Sequence, residues 1–206
     1  MTFGLVKHNN NSLSAITTAG QLTSGAMTLI KEQTASSSSS ISFVDGSSSV
    51  VLDNTYPIYL FKFINIHPSS SAIFSFQTST NGGSSYGVTA TTVFFRAQQT
   101  EAGSDATLAY DTSMDLAQST GNAYLGRPVL TDNDASLCGT LHFFNLSSNT
   151  FTKHYTYNNS VMGNYCQNAF GAGYFNTTSP IDAVKFQFES GNIDSGTIKL
   201  FGIKGS

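Results

Sequence analysis

The chain has 206 residues, of which only 10% are charged and 39% hydrophobic, with a formal net charge of −3 at pH 7. That length suits a single domain with its own hydrophobic core, needing neither metal nor disulfide to hold it. Nine Lys and Arg against twelve Asp and Glu leave no basic surface for nucleic acid, and no apolar run approaches the ~20 residues of a membrane-spanning helix.

Residues 1–25 read as an extended N-terminal arm. Their apolar residues, Phe3, Leu5, Val6, Leu13, Ile16 and Leu22, stand isolated among Asn, Ser, Thr and Gly. They fit neither a 3.6-residue period nor a strict alternation. Such a segment cannot cover its own backbone. It is expected to take its shape from a neighbouring subunit or from the parent domain, and these six residues are its candidate assembly contacts. The opening MTFGLVKHNNNS also lacks the apolar core of a signal peptide.

From residue 26 to 206 the pattern is β. A first strand is expected over 26–33, and a second over 40–44, where Ile41 and Phe43 alternate with Ser. Residues 56–68, YPIYLFKFINIHP, are apolar on both faces and predict a central strand buried on both sides. Further strands are expected at 72–78 and 86–96. The stretch 98–134 holds six of the twelve acidic residues and predicts long loops with one short strand or helical turn. Residues 139–146 and 150–157 flank Ser147-Ser148-Asn149 as a hairpin. Residues 165–175 read as a Gly- and aromatic-rich strand. A last pair follows, 183–189 with Val184, Phe186 and Phe188 on one face, then 197–203 with Ile198 and Leu200 inward. Nine or ten strands without a useful amphipathic helix predict an all-β, antiparallel two-sheet sandwich. The long irregular connections favour a jelly-roll-like order.

Little in the chain points to chemistry. His142 and His154 fall on the two strands of the hairpin, with no third ligand near them in sequence. They read as sheet residues, not as a metal site. Asp132-Asn133-Asp134 lacks the spacing of a calcium loop and reads as a turn. Cys138 and Cys166, flanked by aromatics, read as small buried hydrophobes. No nucleophile, phosphate-binding or metal-binding motif occurs, and nothing selects a carboxylate pair. The expectation is a non-enzymatic protein without catalytic residues, metal or cofactor. Trp is absent, so the candidate aromatic contacts for a glycan or partner are Tyr110, Tyr124 and Tyr165, in loop-like settings.

Several stretches carry a resemblance: the leading GLVKHNNNS, SGAMTLIKEQTASSSSSISF, YPIYLFKFINIHP, NLSSNTFTKHY and GYFNTTSPIDAVKFQFESGNIDSGTIKLFGIK. Together they resemble a family of small virion structural proteins of tailed, especially marine, bacteriophages. The resemblance implies a role and a location but no active site. The implied role is a capsid decoration (cement) protein, made in the host cytoplasm and carried on the virion. Its implied partners are the major capsid protein or other virion proteins, and copies of itself in a closed ring, often a trimer. The alternative within the same family is a trimeric tail fibre, spike or head fibre that binds host-surface glycan.

Overall fold

A computed structural model describes residues 26–204. Among the described residues there are twelve strands and no helix: β1 Met27–Thr34, β2 Ile41–Val44, β3 Ile58–Pro68, β4 Phe74–Ser79, β5 Ala90–Thr100, β6 Ala106–Tyr110, β7 Ala123–Tyr124, β8 Ser136–Phe144, β9 Lys153–Met162, β10 Tyr165–Phe175, β11 Ala183–Phe188 and β12 Ile193–Ile203. They make an antiparallel long sheet, β1-β12-β3-β8-β9-β10-β5-β6, and a short one, β2-β11-β4-β7. The residues of the expected arm, with Phe3, Leu5, Val6, Leu13, Ile16 and Leu22, lie outside the described residues.

Eight of these strands carry the jelly-roll order. β1 pairs with β12, β2 with β11, β3 with β8 and β4 with β7. These are the nested pairings of a ribbon rolled into two four-stranded sheets. The hairpins β5–β6 and β9–β10 interrupt the ribbon and add four strands to one side of the long sheet. The unequal sandwich is therefore a jelly roll with two insertions. The last pair expected from the sequence does not stay together: β11 joins the short sheet and β12 the long one, so residues 189–192 cross between layers.

The core lies where the two sheets face each other. Alternation turns Phe61, Phe63 and Phe143 inward from the long sheet and Phe43, Phe74, Phe76 and Phe186 from the short one, all at 2% exposure or less. Phe186 sits at the centre, its ring 5.0–6.3 Å from those of Phe43, Phe61, Phe63, Phe74 and Phe76. Most of these contacts are edge-to-face, the arrangement that ring quadrupoles favour. Gly171 and Gly173 of β10 also face inward, because a Cβ there would lie 2.6 Å from the hydroxyl oxygens of Tyr157 and Tyr155. The two glycines make room for the tyrosines of the neighbouring strand.

The short sheet reaches the added strands only in part, where Phe76 of β4 packs on Tyr155 and Phe175. The crossing segment 111–135, which includes β7, covers the rest, burying Met114, Leu125, Val129 and Ala135. A segment with irregular backbone must find partners for its peptide groups. Inward-pointing polar side chains supply them. Asn159 Nδ2 donates to the Leu125 carbonyl (2.8 Å), Gln167 Oε1 accepts from the Arg127 N–H (3.1 Å), and Thr92 Oγ1 accepts from the Leu116 N–H (2.8 Å). Asp111 ties the same segment down. Its Oδ2 accepts from Arg127 (3.1 Å) and lies 3.4 Å from Arg96 Nε, which makes no hydrogen bond of its own, while its Oδ1 accepts from Ser113. The Ser113 hydrogen bonds, and then the two guanidiniums, hold the Asp111 carboxyl below the usual carboxylate range. Thus the acidic stretch expected to be mostly loop contains two strands, β6 and β7, and a covering layer.

Candidate functional site

β3 shows what the fold leaves open. Tyr59, Phe61 and Phe63 are buried inward; on the opposite face the neighbouring side chains of the sheet shield Leu60 to 6% exposure, but Ile58 and Lys62 are half-buried, Ile64 is 40% exposed, and no second layer lies over them. The strand expected to be buried on both sides is covered on one. The same holds across the whole long sheet, whose outer face is open from β1 to β6.

The exposed large hydrophobic residues concentrate there. Among the described residues these are Met27, Leu29, Ile64, Val93, Phe95, Leu108, Tyr110, Phe151 and Met162. All but Phe151 point outward from the long sheet, as the strand registers require. Apolar residues scattered singly over a surface need no explanation, but a grouping on one face marks a docking surface. Two regions stand out. At one end, Met27 and Leu29 of β1 lie beside Phe201 and Ile203 of β12. Lys62 of β3 places its ammonium 5.2 Å from the centre of the Phe201 ring, and Lys199 pairs with Glu32 at 2.9 Å. At the other end, Phe95 stacks on Phe170 with ring centres 5.5 Å apart and planes 9° from parallel, and Tyr110 sets its ring against Phe95 at 5.0 Å.

The three candidate tyrosines are placed on strands and are not brought together. Tyr110 faces outward on the edge strand β6, its hydroxyl donating to Asp115, a bond that raises its pKa. Tyr165 faces inward on β10 and donates to the Pro128 carbonyl at 2.6 Å. Its burial raises its pKa. Tyr124 belongs to the short sheet; burial, and then its hydrogen bond to Glu189, pushes its pKa up to about 12. The aromatic contact that sequence reasoning missed is Phe95 with Phe170. Each reads as an ordinary strand residue until the register sets them side by side.

The other residues singled out in the sequence serve structure. His142 lies opposite Thr156, and His154 opposite Phe144, so the two histidines are diagonal rather than paired. Burial pushes the His142 pKa down. His67 Nδ1 contacts the Ala135 carbonyl at 2.7 Å. Cys138 and Cys166 are free thiols, and neither is buried. Both point to the outer face, with β9 between the strands that carry them, so the expectation of two buried hydrophobes is corrected by their register. Asp132 heads a turn closed by the Ala135 N–H at 2.8 Å. Among the described residues no three His, Cys, Asp or Glu converge as a metal-ligand group, and no helix is long and apolar enough to cross a membrane. Lys153 is fully buried with its ammonium on the carbonyls of Phe151 (3.2 Å) and Thr177 (3.3 Å), and desolvation pushes its pKa down.

No protein-family model matches the chain, and no curated protein matches it.

Proposed function

We propose that the protein is a non-enzymatic structural component of a phage virion, a decoration protein that reinforces the head shell. One observation carries the reading: the exposed apolar side chains are gathered on the outer face of the long sheet, which the fold itself leaves uncovered. A surface of that kind is built to be covered by protein, and its low charge leaves little to desolvate on contact. Three further points support it. The jelly roll is an architecture used by viral capsid and lectin domains, an argument from fold analogy alone. The sequence resembles phage virion proteins over most of its length. Residues 1–25 lead into β1 at the edge of this same face, and at ~3.3 Å per residue they are long enough to reach a neighbouring protomer. The partners in this reading are the major capsid protein and further copies of the chain, the latter in a closed ring such as a trimer.

Electron microscopy of particles tests the role directly, with density for this chain expected on the head. Particles carrying the chain without residues 1–25 are expected to lose occupancy; unchanged occupancy refutes the arm's part in attachment. The exposed rings of Phe95 and Tyr110, beside the half-buried Phe170, favour a second reading, a fibre or spike whose outer face contacts host glycan. That reading requires purified protein to compete with phage for adsorption to cells.

A further inference from the structure

Three features coincide on the outer face of β9, β10, β5 and β6. The first is a ridge, made by the stacked pair Phe95 and Phe170 with Tyr110 beside it. The second is a hollow on either side of that ridge. One, of about 480 Å³, is bordered by Ala97, Gln99, Ala106, Leu108, Cys166 and Asn168. The other, of about 310 Å³, is bordered by Thr91, Val93, His154, Thr156, Ala172 and Tyr174. The third is charge: no outward position of these four strands carries Asp, Glu, Lys or Arg. Glu32, Lys62 and Lys199 place their charges at the other end of the outer face, and at this end Asp115 accepts from the Tyr110 hydroxyl at the margin of the patch.

We propose that this face is an interface between two copies of the chain, paired about a two-fold axis so that the Phe95–Phe170 ridge of each fills a hollow of the other. A two-fold axis presses a patch against itself, so any charge in it meets its own like. With no charge on its strands, the patch keeps that repulsion to its margin, where the Asp115 carboxylate is held by the Tyr110 hydroxyl, and a ridge beside a hollow is complementary to its own rotated copy. Aromatic residues at the centre with Lys, Glu and Asp missing is also the composition of interface cores.

Size agrees. At ~4.8 Å between strands and ~3.3 Å per residue, the four strands present a footprint of roughly 600 Å². Two copies bury about 1,200 Å², the lower bound for a specific and stable contact. An acidic or basic partner finds no charge on these strands to pair with. A sugar finds ring faces already pressed together, since Phe95 and Phe170 are stacked on each other. The proposal rests on the assembly reading only in taking several copies to work together; the surface is defined by the geometry.

Light scattering and sedimentation of the full chain from about 1 to 100 μM, the range set by a small interface, test the proposal. A reversible rise toward twice the chain mass of 21.9 kDa is expected. Leu108 is 77% exposed and gives the fold little, so Leu108→Lys should fold normally and weaken pairing about tenfold or more. Phe151, 68% exposed but off this face, is the control, and Phe151→Lys should leave pairing unchanged. The proposal is overturned by a monomer across the whole range, by a trimer indifferent to Leu108→Lys, or by equal responses to the two variants. It is overturned equally by a monomer that binds glycan through Leu108. A dimer absent from phage heads refutes the virion role while leaving this interface standing.

Discussion

Asp111 is expected to hold the covering segment 111–135 against the added strands, and Asp111→Asn measures how strongly. The substitution keeps an acceptor for Ser113 but removes the charge shared by Arg127 at 3.1 Å and Arg96 at 3.4 Å. A charge-assisted hydrogen bond contributes about 1.5–3 kcal/mol. The Arg127 bond belongs in the lower half of that range, because its side chain is 37% exposed and solvent screens it. Arg96, at 19% exposure and without a hydrogen bond to Asp111, adds about 1 kcal/mol as a partly buried ion pair. The expected loss is ~3 kcal/mol. At about 2.1 cal/mol/K per residue, 206 residues have an unfolding entropy of roughly 430 cal/mol/K, so Tm should fall by about 7 °C. The pH dependence supplies a second check. The folded carboxyl titrates below its unfolded value, so its stabilisation is complete above about pH 4 and disappears as pH falls through the folded value. Scanning calorimetry of both proteins should show a gap that is constant near neutrality and closes in acid. A gap below about 2 °C at pH 7, or one that persists unchanged to about pH 3, would falsify the latch.

Two further outcomes are expected. Phe186→Ala should cost about 3–5 kcal/mol, toward the upper end because five surrounding rings cannot all collapse into the space; urea denaturation showing less than about 2 kcal/mol contradicts a single aromatic centre. Tyr59, Tyr124, Tyr155 and Tyr157 all have raised folded pKa values, chiefly through burial, so their stabilisation is intact below about pH 10 and declines as pH climbs through the folded values. The tyrosinate absorbance of these four should therefore appear late and together with unfolding, and Tyr124→Phe should remove the part of the decline that ends near pH 12. Early, non-cooperative ionisation of these four residues counts against their burial.

Strand-level features were legible because alternation is local. The inward face of Val184, Phe186 and Phe188 can be read from their spacing, and so can the buried Ile198 and Leu200. The misread elements share one cause. An apolar strand face predicts cover of some kind, but not whether the cover is a second sheet, a crossing segment or another molecule. That is why 58–68 looked buried on both sides. Asn159 and Gln167 gave the converse trouble: polar residues in strands suggest solvent, yet both are fully buried because an irregular segment beneath them needs hydrogen-bond partners. The candidate site was the least legible part. Of the three tyrosines singled out, only Tyr110 lies on the open face, and its neighbours Phe95 and Phe170 carry no signal until paired.

By itself the amino-acid order determined an all-β chain, most of its strands and the inward face of the most regular ones, since period-two alternation between oily and polar side chains acts over a few neighbouring residues. Only the tertiary structure decided the lateral order of the strands. Residues distant in the chain, such as Phe95 and Phe170, become cross-strand neighbours through backbone hydrogen bonds that every residue type can make. Four neighbouring strands whose outward positions carry no charged side chain are a property of that order, and they meet only once the ribbon has rolled.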